Sequence, residues 1–148
     1  MTLAIATVMD SISKLSVSGL VIKDMDEIPA TADEGVHTIF PEPLNLVTNF
    51  DAQKASFGEG AGGSWNVEYD LNYTFCYAPI GSGRGLELFS PTIVMAFAFL
   101  SAIMECNPQA GAVLLRPGDL TNVGPIPDPS GKQFYGCSIS VHVLEFVH

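Results

Sequence analysis

Alternating apolar and polar residues mark the clearest element of the chain, between Trp65 and Tyr77. Because the side chains of a strand point alternately to its two faces, this pattern predicts one long β-strand. One face is expected to be aromatic and apolar, carrying Trp65, Val67, Tyr69, Leu71, Tyr73, Phe75 and Tyr77. These large side chains exceed what a single helix covers, so we expect part of the face to pack on another subunit.

A nearly continuous apolar run predicts a helix from Pro91 to Cys106. Ser90 suits the N-cap, Pro91 suits the first turn because its missing N–H costs nothing there, and Asn107-Pro108 is a stop signal. Apolar side chains on all faces predict a helix buried in the core, with Phe97 among the core residues, or a helix that meets another copy of the chain. The unbroken run is well short of the ~18 residues of a membrane span, so we expect no membrane association.

Weaker patterns predict the remaining elements. Apolar residues between Leu3 and Leu15 recur at helical spacing and indicate an amphipathic helix that ends near Lys14. Arg116 to Asp119 is a turn by composition. Short strands are predicted at Val17–Ile22, at Val36–Phe40 with Asn45–Phe50 as its extension, at Gly111–Leu115 and at Lys132–Val147. This order predicts an α+β fold, in which an antiparallel or mixed sheet carries the N-terminal helix and a buried central helix on one face.

The last strand shows one irregularity. Its alternation breaks in the sequence LEFV at Leu144–Val147, which predicts a bulge or the point where the strand leaves its sheet. His142 is on the polar side of this strand near Glu145, and we expect it to be solvated or hydrogen-bonded.

Composition narrows the class of protein. A chain of 148 residues is most simply a single domain, 1–148, with a real core. Charged residues make up 15% of it, against ~25% in typical soluble domains, so some apolar surface is expected to face a partner. The net charge of −10 lies mostly in the first half and argues against binding nucleic acid through phosphate contacts.

No catalytic or cofactor site is expected. The three cysteines are far apart without a C-x-x-C pair, and we expect reduced, mostly buried thiols. The three histidines lack metal-ligand spacing. Gly58, Gly60 and Gly63 match a dinucleotide pattern, but a strand follows where the fingerprint needs a helix, so we expect no phosphate site. The N-terminal sequence lacks the basic region of a signal peptide, so we expect no secretion.

Two glycine-rich loops are the candidate subunit interface. The first is FGEGAGGS at Phe57–Ser64, and ordering such a loop costs much conformational entropy. We expect it to order against a neighbour, with Phe57 as anchor beside Gly58, Gly60 and Gly63. The second loop carries Arg84, which can pair with acids of a neighbouring subunit or remain a solvated charge.

The order of motifs along most of the chain resembles the tail terminator and tail-completion proteins of long-tailed bacteriophages. The shared features are an amphipathic first helix, D-E-I-P at Asp26–Pro29, F-P-E-P at Phe40–Pro43, W-N-V-E-Y-D-L-N-Y from Trp65, the central helix, and G-x-x-F-Y-G-C at Gly131–Cys137 before a final E-F-V.

The resemblance implies a small α+β subunit without catalytic residues, assembled in the host cytoplasm and located in the tail or neck of the virion. Such subunits form a ring, usually hexameric, that caps the tail tube and presents a surface to the head connector. Genomic DNA would pass through without specific binding, and an acidic lumen would favour this. A head-completion or neck adaptor protein is an alternative. A small-molecule-binding domain or enzyme that uses the aromatic strand as a pocket wall is another.

Overall fold

A computed structural model describes residues 3–27, 37–56, 63–81, 85–106 and 112–147. These residues form two helices, six strands and a short 3₁₀ turn at Met25–Glu27. The helices are α1 (Ile5–Ser13) and α2 (Gly85–Ile103). The strands are β1 (Leu20–Ile22), β2 (His37–Pro41), β3 (Val47–Ser56), β4 (Ser64–Pro79), β5 (Ala112–Pro127) and β6 (Gln133–Val147).

The strands form one mixed sheet with β4 at its centre. β6 pairs antiparallel with β4 from Trp65 opposite Val147 to Pro79 opposite Phe134, and β5 pairs with the far side of β6. Because β6 occupies one whole side of β4, β2 and β3 lie end to end along the other side. β1 pairs in parallel with β2, which makes the sheet mixed.

Both helices pack on one face of this sheet, which confirms the predicted α+β fold. The aromatic face of β4 supplies much of the core, since Tyr69, Leu71 and Phe75 are fully buried. Val8, Met9 and Ile12 of α1 belong to the same cluster as Ala96, Phe99, Leu100 and Ile103 of α2. The two helices therefore cover most of this face within the chain, whereas Trp65 and Tyr77 near its ends are only partly buried. The expectation that part of the face packs on another subunit stays a prediction.

The start of α2 differs from the prediction. The helix begins at Gly85, so Pro91 lies in its interior instead of its first turn. A proline there removes one backbone hydrogen bond of the helix. The buried Thr92, which directly follows this proline, donates a hydrogen bond from Oγ1 to the carbonyl of Leu88 at 2.6 Å. The predicted N-cap at Ser90 is wrong, because the helix begins at Gly85 and already contains Ser90 in its second turn.

The predicted turn at 116–119 is also wrong. β5 continues through Pro117 to Pro127 and absorbs the extra residues as irregularities between Pro117 and Leu120 and between Thr121 and Gly124. A proline is tolerated here because β5 is an edge strand whose outer side has no partner among the described strands. The second-strand extension predicted at Asn45–Phe50 is instead part of β3, which pairs with β4.

The irregular end of β6 has a structural cause other than a bulge. β6 stays in register with β4 through Val147, so Leu144 and Phe146 lie on one face and Glu145 on the other. Glu145 is buried on the core face, where Oε1 accepts a hydrogen bond from the backbone N–H of Ala4 at 2.9 Å. Its Oε2 accepts a hydrogen bond from the hydroxyl of the buried Tyr69. Glu145 thus caps α1, which lacks a side-chain cap of its own at Ala4.

Candidate interaction surfaces

Four of the five predicted interface residues, Phe57, Gly58, Gly60 and Arg84, lie outside the described residues. The fifth, Gly63, directly precedes β4 and has φ of +63°, a conformation that glycine adopts without the strain other residues incur. Ser56 and Ser64 are paired, so residues 57–63 connect the two strands of a β-hairpin. β3 thus continues to Ser56, beyond Phe50, where the predicted strand extension ended.

α2 has one apolar face that the rest of the described chain leaves uncovered. Exposed residues recur along it at alternating spacings of four and three, namely Ser90, Val94, Phe97, Ser101 and Met104, and we call this set the outer stripe. Val94 is 65% exposed, Phe97 57% and Met104 72%. The stripe contains no charged residue, and its spacing is that of a helix face able to pack on another element.

The buried face of α2 lies on the opposite side. Thr92, Ala96, Phe99 and Ile103 contact the sheet side of the molecule and are nearly or fully buried. The expectation that α2 is buried all round, with Phe97 in the core, is thus wrong. The alternative expectation, that one apolar face of this helix meets another copy of the chain, stays a prediction that the outer stripe supports.

The face of the sheet that carries no helix has its own pattern, and we call it the open face. Cross-strand pairing sets three rows of residues side by side over β3, β4, β6 and β5. The rows are Thr48, Asp70, His142 and Arg116; then Asp51, Glu68, Leu144 and Leu114; then Gln53, Asn66, Phe146 and Ala112. The β3–β4 half is polar and acidic, whereas the β5–β6 half is apolar in the second and third rows. A groove of about 590 Å³ lies over these two rows.

His142 joins two carboxylates on the open face. Its Nδ1 lies 2.7 Å from Asp70 Oδ1, and its Nε2 lies 3.2 Å from Glu68 Oε2. The second oxygen of Asp70 accepts a hydrogen bond from Asn49 at 2.8 Å. Only a protonated imidazole can donate to both carboxylates at once. The two acids lie on opposite sides of the ring, so they hold the imidazole in place instead of converging with it on a shared ligand.

The sequence predicted a solvated or hydrogen-bonded His142, and the hydrogen bonds confirm this, but its expected neighbour Glu145 lies on the other face of the sheet. The sequence contains only a weak indication of which acidic residues bind His142. Glu68 and Asp70 are two residues apart on the polar side of a strand, and only the register of β6 against β4 brings them to His142.

The three cysteines are free, and Cys76 and Cys137 are buried, which confirms the expectation of mostly buried thiols. Burial raises the pKa of the Cys76 thiol to about 12, and it raises that of Cys137 to about 12 as well. The partly buried Cys106 has a raised pKa for the same reason. Since the thiolate is the nucleophilic form, these environments disfavour thiol chemistry near neutral pH.

Among the described residues, no three of the His, Cys, Asp and Glu side chains are grouped so that they could hold a metal ion. In the same part of the chain, no helix is long and apolar enough to span a membrane. No protein-family model matches the sequence, and no curated protein matches it. The two surfaces described above are thus the basis for inferring function.

Proposed function

We propose that the protein is a structural subunit that assembles with copies of itself, and that its assembly is the terminator ring of a phage tail. The outer stripe of α2 carries this proposal. A helix in a monomer normally presents polar side chains to solvent, whereas this one presents Val94, Phe97 and Met104, each more than half exposed. Covering these side chains is the favourable free-energy change that would drive association.

The exposed area of the outer stripe is large enough to form part of an interface between subunits. A large aromatic side chain carries roughly 150–250 Å² of surface, so three apolar side chains that are more than half exposed offer about 300–400 Å². A stable interface buries about 800 Å² on each partner. The outer stripe alone therefore accounts for about half of such an interface.

The assignment to a tail terminator rests on the order of motifs in the sequence, on the α+β fold and on the acidic charge. In this role the ring, expected to be a hexamer, would contact the tail tube protein on one side and the head connector on the other. The net charge of −10 would let genomic DNA pass through the ring without adhering to it. A head-completion or neck adaptor protein would use the same properties, and the position in the particle separates the two.

Three substitutions test self-association. Phe97→Asp places a charge on the outer stripe, and we expect it to fold normally but to lose assembly. Phe99→Asp, two residues along the same helix, places the charge in the core and should abolish folding, since Phe99 is fully buried. Leu44→Asp, at a 93% exposed apolar residue away from α2, should change neither property.

The measurements are circular dichroism for folding, and sedimentation with negative-stain electron microscopy for assembly, in the presence of purified tail tubes because such subunits can stay monomeric alone. If Phe97→Asp assembles as the parent does, the outer stripe is not the interface. Antibody labelling in electron micrographs of the particle then tests the location. Label at the head–tail junction supports the ring, and label elsewhere or absent from the particle contradicts the tail-terminator assignment.

A further inference from the structure

We propose that the open face of the sheet is a docking surface for an amphipathic helix of a partner protein, with lysines or arginines along one flank. Its apolar side chains would lie on Leu114, Leu144 and Phe146, and its basic flank would lie over Asp51 and Glu68. This surface is on the opposite side of the sheet from α1 and α2, so the proposal does not depend on self-association through the outer stripe.

The apolar half of the open face is the first reason. Leu114 is 51% exposed and Phe146 is 42% exposed, and with Leu144 they form one contiguous patch because the three residues are neighbours across β5 and β6. A sheet with an apolar patch on a face is normally covered there by a second layer. Both helices of the described chain lie on the other face, and Leu114 and Phe146 keep about half of their surface exposed, so a further layer can pack on this patch.

The acidic half is the second reason, because it defines the charge of the partner. Asp51 and Glu68 are direct cross-strand partners, and like charges in that position repel each other. Glu68 lies 3.2 Å from Nε2 of His142, yet its side chain is 45% exposed, which leaves it accessible to a further cation. A lysine or arginine placed over this pair would relieve the repulsion and form charge-assisted hydrogen bonds.

The arrangement of the two halves indicates a helix lying along the strands. Neighbouring strands are ~4.8 Å apart, so the acidic pair of strands and the apolar pair are each about one strand spacing wide. A helix is ~10 Å across, and when it lies over the line between β4 and β6 it contacts both halves at once. An added β-strand would bind at an edge of the sheet instead, away from the patch on its face.

The test uses a defined probe, a peptide of about 14 leucines and lysines patterned as an amphipathic helix, long enough at ~1.5 Å per residue to span the three rows. Binding to the whole protein is measured by fluorescence anisotropy at ~150 mM salt, where weak surface attraction is screened. Chemical shifts of the isotope-labelled protein locate the site. We expect shifts on β5 and β6, and no comparable binding of a peptide with the same composition in scrambled order.

Two double variants with the same change in net charge separate the site from general attraction to an acidic protein. Asp51→Lys with Glu68→Lys should weaken binding by about tenfold or more, as expected for reversed charges at an interface. Asp26→Lys with Glu105→Lys, at exposed acids elsewhere, should change it by less than about twofold. Leu114→Ser removes part of the apolar patch at a half-exposed position and should also weaken binding.

Each contrary result overturns the proposal. These are equal loss of affinity in the two charge variants, equal binding of the scrambled peptide, shifts confined to the outer stripe of α2, or no binding by the parent protein at about 1 mM peptide. Circular dichroism melting curves verify that each variant is folded. If a charge variant does not fold, Leu114→Ser and the chemical-shift map decide the outcome.

Discussion

Glu145 is the residue whose replacement most directly tests how the two layers of this protein are joined. Its carboxylate is 5% exposed and accepts two hydrogen bonds, one from the N–H of Ala4 at the start of α1 and one from the hydroxyl of Tyr69. Glu145→Ala leaves both donors without their acceptor. Burial and the carboxylate together raise the pKa of Tyr69, so its hydroxyl remains protonated and in need of an acceptor.

The magnitude follows from these two contacts. A hydrogen bond to a charged group contributes about 1.5–3 kcal/mol, and a buried donor left unpaired costs a similar amount. We therefore expect Glu145→Ala to lower the free energy of unfolding by about 3–5 kcal/mol, which is large for one substitution. Tyr69→Phe removes one of the two bonds and should cost about 2 kcal/mol.

Urea denaturation followed by circular dichroism measures both values. The double variant Tyr69→Phe with Glu145→Ala should lose less than the sum of the single losses, because the two side chains share one hydrogen bond. Hydrogen exchange should show the largest local loss of protection at Val8, whose N–H bonds to the carbonyl of Ala4 in the first turn of α1. If the free energy of unfolding of Glu145→Ala is within about 0.5 kcal/mol of that of the parent, the carboxylate does not hold α1 to the sheet.

Four further predictions concern packing, the hairpin, pH and DNA. A Cβ at Gly136 would lie 1.8 Å from the carbonyl oxygen of Phe75, so Gly136→Ala should cost about 3 kcal/mol or more, whereas Gly81→Ala, with open space around it, should cost little; equal unfolding midpoints would contradict this. Replacing residues 57–63 by an Asn-Gly turn should leave the melting temperature nearly unchanged while assembly with tail tubes is lost, and unimpaired assembly would show that this connection has no role in it. Burial lowers the pKa of His37, so the unfolded chain takes up its proton first as the pH falls below about 6.5; the parent should then progressively lose stability relative to His37→Phe as the pH falls below that value, and parallel pH profiles would refute this. Duplex DNA should show no low-micromolar retention in a gel-shift assay at ~150 mM salt, because six basic residues against sixteen acids offer few phosphate contacts.

The sequence by itself determined those elements whose pattern of apolar and polar residues is compatible with only one kind of secondary structure. The alternation from Trp65 to Tyr77 can bury its apolar side chains only as a strand, and that strand is the centre of the sheet. The apolar run after Pro91 predicted a helix because of its length, and it forms most of α2, although only one face of that helix is buried. The α+β class followed from these two elements and from the order of the weaker ones.

Tertiary packing decided which face of α2 is buried. An apolar helix has no polar side to fix its rotation about its own axis, so the sequence could not tell that Phe99 is buried and Phe97 exposed. Contacts with the sheet settled that choice. The helix also begins at Gly85, earlier than the start that the local signals at Ser90 and Pro91 predict.

Strand register decided the rest of the candidate surfaces. Pairing of β6 with β4 brought His142 to Asp70, and pairing of β3 with β4 set Asp51 opposite Glu68. The same register placed Glu145 in the core. There its carboxylate accepts a hydrogen bond from the N–H of Ala4, which lies at the start of α1 and more than a hundred residues earlier in the chain. Such contacts depend on which strands meet and at what offset. No local pattern of hydrophobic and polar residues contains that information, because it is fixed only when the whole sheet packs against its helices.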